Sequence, residues 1–145
     1  MKRTGIVLLA LVLAFSLCAC SSRKEIEAEK HSWDFSIVQI SDGGKVIYCA
    51  RDKKNLYENA EVLDLSCTFE NKVMTITENN SSESWQFRYK FNSESQQTQI
   101  YNLKPLFDED IEGFASVGLT QYHDGISEYT LVIYYGDYAL YFYEK

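Results

Sequence analysis

Residues 84–91 have the sequence SWQFRYKF, in which four aromatic side chains alternate with four polar ones. A period of two is the period of a β-strand, because successive side chains point to opposite faces of a sheet. We therefore expect the aromatic face to be buried and the face with Arg88 and Lys90 to contact water. One buried and one wet face are typical of an antiparallel sheet.

The same alternation continues on both sides of this stretch. Trp33, Phe35 and Ile37 are expected on one face of a first strand that follows Ser32. Further strands are predicted at 45–50, 62–69, 73–78, 98–103, 114–122, 128–135 and 138–144, with a helical turn near 55–58. Gly-containing and polar turns separate most of these segments, and none of the segments has the 3.6-residue period of an amphipathic helix.

About eight or nine short strands joined by tight turns predict an all-β antiparallel meander. Such a meander buries its apolar face, and removes its exposed edges, by closing into a small barrel. A β-sandwich is the alternative fold. The inward side chains are bulky, so we expect much of the barrel interior to be filled.

The N-terminus has the pattern of an exported protein. Lys2 and Arg3 precede an apolar run over 6–17, which is the length of a signal-peptide core. The run ends in Leu17-Cys18-Ala19-Cys20, which resembles the bacterial lipobox. The resemblance implies removal of residues 1–19 and attachment of a diacylglycerol to Cys20. It places the protein at the cell membrane, lipid-anchored on the extracytoplasmic face.

The domain organisation follows from composition. Residues 20–31 are polar and charged, which predicts a lipidated cysteine followed by a flexible tether, and residues 32–145 form a single domain. Loss of Lys2 and Arg3 with the leader lowers the formal net charge from −7 to −9. So acidic a chain is a poor nucleic-acid binder, because Lys and Arg must neutralise phosphates in such complexes.

Several stretches of the predicted domain also resemble known proteins. The order of elements, with a Trp near the start of strand one, resembles lipocalin-like barrels. The sequences SWDFSIVQ at 32–39, DGG at 42–44 and YHDG at 122–125 are similar to those of small lipoproteins of Gram-positive gut bacteria. These motifs are structural, and the resemblance implies no catalytic residue.

Cys49 and Cys67 remain after export, in a compartment where disulfides persist. A disulfide between them closes a loop of about 17 residues, which stabilises a fold by about 3 kcal/mol. The alternative is two buried free thiols. We expect the disulfide.

No catalytic or metal-binding motif is evident in the sequence. His31 falls in the predicted tether and His123 in a turn, and the nucleophile and zinc motifs are missing. The acidic cluster at 108–112 lacks the spacing of a calcium loop. We therefore predict a protein that is not an enzyme and that uses no cofactor and no metal.

The candidate interaction patch is aromatic. Tyr134, Tyr141 and Tyr143 are predicted on the outer face of the last hairpin, where tyrosine provides contact area at a small entropic cost. Two roles stay open for the barrel: a carrier of a small apolar ligand, and a surface module that binds a protein as an inhibitor or adhesin. The sequence thus predicts a lipid-anchored, non-catalytic binding or interaction barrel.

Overall fold

The computed structural model describes residues 25–41, 44–107 and 111–145. Within these ranges the chain forms ten strands and two short 3₁₀ helices, Glu27–Glu29 and Arg51–Leu56. The strands are β1 (Trp33–Ile40), β2 (Val46–Cys49), β3 (Glu61–Val62), β4 (Leu65–Glu70), β5 (Val73–Glu78), β6 (Ser84–Ser95), β7 (Thr98–Pro105), β8 (Gly113–Gln121), β9 (Ser127–Tyr135) and β10 (Tyr138–Glu144).

Eight of these strands form a closed antiparallel barrel. Strands β4 to β10 pair consecutively, and β1 closes the barrel by pairing with β10 on one edge and with the start of β4 on the other. The all-β meander barrel predicted from the sequence is confirmed, and the β-sandwich alternative is wrong.

Strands β2 and β3 are additions to the barrel. Beyond the short contact with β4, the same edge of β1 pairs with β2, and β2 pairs in parallel with β3. The sequence predicted one strand over 62–69, but Leu63 and Asp64 separate β3 from β4. The predicted helical turn near 55–58 is a 3₁₀ helix that begins earlier, at Arg51.

A β-bulge at Ser36 reverses which side chains of β1 point inward. Phe35 lies opposite Phe142 of β10, but Ile37 lies opposite the next residue, Tyr141, so Ser36 is the extra residue. The prediction that Ile37 shares the inner face with Trp33 and Phe35 is therefore wrong. A bulge inserts one unpaired residue and shifts the alternation by one position.

The core fills most of the barrel. Tyr101 and Phe142 are the largest fully buried side chains, and Phe142 meets Phe35 in an edge-to-face contact with ring centroids 5.7 Å apart. A second aromatic group forms where Tyr89 contacts both Phe69 and Tyr101 edge to face. Such pairs add stability beyond the area they bury.

Cys49 and Cys67 are two buried free thiols rather than the expected disulfide. Cys67 lies opposite Trp33 and belongs to the interior core, whereas Cys49 lies opposite the outward-facing Ile37. The two thiols thus occupy opposite faces of the sheet, four residues apart along β1, which corresponds to about 13 Å. A disulfide needs Cα atoms less than about 7 Å apart.

Candidate ligand-binding cavity

One end of the barrel is closed by residues 25–31, which we call the plug. Ala28, in the first 3₁₀ helix, has no exposed surface, and its carbonyl accepts a hydrogen bond of 3.1 Å from Trp33 Nε1. The sequence assigned these residues to a flexible tether. The structure differs because the charged side chains of the plug find partners on the barrel.

Polar contacts hold the plug in place. Glu27 N donates to Gln99 Oε1 at 3.0 Å, and Tyr89 OH donates to Glu29 Oε1. Tyr101 OH donates to the same Gln99 oxygen, and burial raises the pKa of Tyr101 to about 12. The barrel end therefore presents neutral hydroxyl and amide groups to the backbone and side chains of the plug.

His31 joins the plug to the last strand. Its Nε2 lies 3.0 Å from Glu27 Oε1 and its Nδ1 lies 2.9 Å from Glu144 Oε1, while its ring packs on Tyr129. Burial raises the pKa of Glu27, but hydrogen bonds from Lys30 and His31 outweigh this effect and hold that pKa below its usual value. His31 therefore links the plug to β10 through two carboxylates.

The opposite end of the barrel is open and holds a cavity of about 410 Å³. This volume lies within the roughly 300–1,000 Å³ that is usual for small-molecule sites. Its walls come from six barrel strands (β1, β4, β5, β6, β9 and β10), from β2, and from Leu63 in the connection between β3 and β4. The aliphatic lining consists of Val38, Ile47, Leu63, Leu65, Ile76, Ile133 and Leu140.

Aromatic side chains form the rest of the wall and the rim. They are Tyr48, Trp85, Phe87, Tyr135 and Tyr138. Trp85 was predicted to be a core residue of the SWQFRYKF strand. It faces inward, but it is 46% exposed because it lies at the mouth, one inward position before the buried Phe87. The mouth is thus an aromatic entrance to an aliphatic cavity.

Glu78 is the only charged residue among the described residues that line the cavity. It follows Met74 and Ile76 on the inner face of β5 and is only half-buried. Asn80 Nδ2 donates to its Oε1 at 3.0 Å and Ser81 N donates to its Oε2 at 2.5 Å. These hydrogen bonds lower the pKa of Glu78, with Ser81 contributing most. Glu78 was not among the candidate residues predicted from the sequence, although the alternation of β5 indicates its direction.

The three tyrosines of the candidate patch lie on the outside of the barrel and are half-buried. Phe114 stacks on Tyr134 with ring centroids 4.5 Å apart, and Gln39 Nε2 donates to Tyr141 OH at 2.6 Å. Lys53 of the second 3₁₀ helix lies 4.9 Å from the ring centre of Tyr143. The chain itself thus contacts all three tyrosines, and none of them lines the cavity.

The remaining candidate residues do not form a site in the described part of the chain. His123 is exposed in the β8–β9 turn, at the plugged end. No group of three or more His, Cys, Asp or Glu side chains is placed to hold a metal ion within 25–41, 44–107 and 111–145. Cys18, Cys20 and the acidic residues 108–110 lie outside those ranges. Burial raises the pKa of the Cys67 thiol.

No protein-family model matches this chain, and searches of curated proteins and of solved structures return no match. No helix among the described residues is long and apolar enough to span a membrane.

Proposed function

We propose that this protein is a lipid-anchored extracytoplasmic binding protein that holds a small apolar or amphipathic ligand in the open end of its barrel. The observation that carries the proposal is the cavity of about 410 Å³, lined by aliphatic and aromatic side chains. Apolar concave sites with few polar groups are the usual form of small-molecule sites. The plug supports the proposal because it leaves a single open end for entry.

The plug also bears on the orientation of the anchored protein. Four residues lie between Cys20 and Glu25, the first described residue of the plug, so the two Cα atoms are five residue steps apart. A chain of that length spans about 18 Å at most. With the lipid on Cys20, the plugged end faces the membrane and the open mouth faces away from it, so the ligand enters from the aqueous side.

The surface-interaction role predicted for Tyr134, Tyr141 and Tyr143 stays a prediction. All three side chains already have partners within the chain, whereas the cavity is unfilled by side chains. The ligand-carrier role is therefore the one that we favour. Among the described residues that line the cavity, none is a nucleophile with an adjacent base, so we propose binding without catalysis.

The anchor is tested by a mass spectrum of the protein extracted from its native membrane. We expect a chain that begins at Cys20 and carries the mass of a diacylglycerol. A Cys20→Ala variant is expected to leave the membrane fraction or to keep its leader. An unmodified chain that begins elsewhere would refute the anchor without affecting the cavity.

The cavity is tested with 10-bromodecan-1-ol, whose bromine quenches the fluorescence of a tryptophan that it touches. The chain has two tryptophans, and only Trp85 lines the cavity. We expect saturable quenching at about one equivalent in the native protein and in Trp33→Phe, and none in Trp85→Phe. Quenching that rises without saturation, or that persists in Trp85→Phe, would contradict binding at this site.

A further inference from the structure

The charge distribution at the open end indicates which class of ligand the cavity takes. We infer that the ligand is an amphipathic cation, with its apolar body in the cavity and its positive head beside Glu78 and the aromatic rim. This inference rests on the proposed function, since it assigns the chemistry of the same cavity.

Glu78 lies at the mouth of the cavity, next to Trp85. Its carboxylate belongs to the inner face of β5, where Ile76 lies opposite Trp85 of β6. Glu78 is the next inward residue toward the mouth, which makes it the diagonal neighbour of Trp85 on the adjacent strand. The Cα atoms of such neighbours lie about 7–8 Å apart. The head of a ligand whose chain fills the cavity therefore comes to lie between a carboxylate and an indole.

The negative charge of Glu78 is the second feature that favours a cation. Its carboxylate accepts hydrogen bonds from Asn80 and from Ser81, and these bonds lower its pKa, with Ser81 contributing most. They hold Glu78 in its ionised form and fix its direction. No basic side chain lines the cavity among the described residues, so the charge inside the mouth is negative.

The aromatic rim is the third feature that favours a cation. Trp85 and Tyr138 are each about half exposed at the mouth, and both belong to the cavity wall. Indole and phenol rings attract ammonium groups over their faces, and this attraction is larger at sites that are partly shielded from water. The same rings offer nothing comparable to a carboxylate head.

The charges outside the cavity at the open end are mostly negative as well. Among the described residues, Asp64, Glu83, Glu112 and Asp137 lie in the connections at the open end, with Lys45 near them. A mouth that is lined by one sign of charge attracts ligands of the opposite sign and repels others. A fatty acid would bring its carboxylate close to Glu78, which is unfavourable.

Three amphiphiles with the same decyl chain test the inference: decyltrimethylammonium, decyl glucoside and decanoate. Each is titrated into the purified protein by calorimetry at one ionic strength, below its micelle-forming concentration. We expect the cation to bind about tenfold more tightly than the glucoside, and the glucoside to bind more tightly than decanoate. A tenfold ratio corresponds to about 1.4 kcal/mol.

Glu78→Gln identifies the source of the preference. We expect this variant to lose about tenfold in affinity for the cation and to keep its affinity for the glucoside, since tenfold is about 1.4 kcal/mol. Glu83→Gln is the matched control: the same charge is removed from the adjacent turn at an exposed residue that does not line the cavity. It should change neither affinity by more than about twofold.

The outcomes separate this inference from the proposed function. If the three amphiphiles bind equally, or if Glu78→Gln and Glu83→Gln behave alike, the cationic preference is wrong and the cavity is still a binding site. If decanoate binds most tightly, the ligand class is anionic. If none of the three binds, the proposed function itself fails, and the inference fails with it.

Discussion

Replacing Trp33 by alanine is expected to lower the free energy of unfolding by about 3–5 kcal/mol, the range found for large aromatic side chains in cores. Trp33 is 3% exposed and lies opposite Cys67, where β1 meets β4 and the barrel closes. Its Nε1 also donates to the carbonyl of Ala28 in the plug. The substitution thus removes core packing, a barrel-closing contact and the main anchor of the plug together. Urea unfolding followed by circular dichroism measures the loss.

The second tryptophan provides the matched control. Trp85 is 46% exposed at the mouth, so Trp85→Ala is expected to cost about 1 kcal/mol or less. It should weaken ligand binding, whereas Trp33→Phe should leave ligand binding intact and cost about 1–3 kcal/mol for the carbonyl left without its donor. Equal losses of stability in Trp33→Ala and Trp85→Ala would contradict the assignment of Trp33 to the closure of the barrel.

The fold could be predicted from the sequence because most strands keep their alternation without interruption. In β6, Phe87 and Tyr89 are buried and Arg88 and Lys90 are exposed, as the pattern of residues 84–91 indicates. Tight turns between such strands leave a meander as the simplest arrangement, and closure of the meander follows from the need to pair its edges. Local pattern and global fold agree here.

Two predictions failed because one extra residue in a strand reverses the faces to which the following side chains point. The bulge at Ser36 is not visible in the sequence, where apolar residues alternate from Trp33 through Phe35 to Ile37. In the structure the next inward side chain after the bulge is that of Val38. This single insertion turns Ile37 outward and, through pairing, places Cys49 on the outer face as well. The disulfide expectation failed for this reason: sequence separation sets the size of the loop but not the face on which each thiol lies.

The plug could not be predicted because its composition is that of a solvated linker. Residues 25–31 include Glu27, Lys30 and His31, which suggest exposure when they are considered alone. Their partners, such as Gln99 and Glu144, lie more than 70 positions away in the chain. Only the tertiary arrangement brings them together. A barrel that carries a small ligand was one of the roles predicted, but the position and size of the cavity were not, since an alternating pattern does not show where an interior remains unfilled.

Filling the cavity is expected to abolish ligand binding without loss of the fold. Leu140 is half-buried on β10 and lies opposite Val38 on one side and Ile133 on the other, and all three line the cavity. In Leu140→Trp the larger ring occupies the space of the ligand chain. We expect the affinity for decyl glucoside, measured by calorimetry, to fall by about tenfold or more, the equivalent of at least about 1.4 kcal/mol.

Stability should respond differently from binding. The new ring enters an open space rather than a packed core, so the free energy of unfolding should change by about 1 kcal/mol or less, instead of the 1–3 kcal/mol typical of overpacking. Ile126→Trp adds the same side chain at an exposed position in the β8–β9 turn, at the plugged end, and should leave binding unchanged.

Leu140→Ala completes the set and covers the case in which Leu140→Trp does not fold. It enlarges the cavity, so we expect it to retain binding of decyl glucoside while it loses about 2–3 kcal/mol of stability, less than a fully buried leucine because Leu140 is only half-buried. A folded Leu140→Trp with native affinity would mean that the ligand lies elsewhere. If Leu140→Trp loses binding and Leu140→Ala retains it, the ligand occupies the volume beside Leu140.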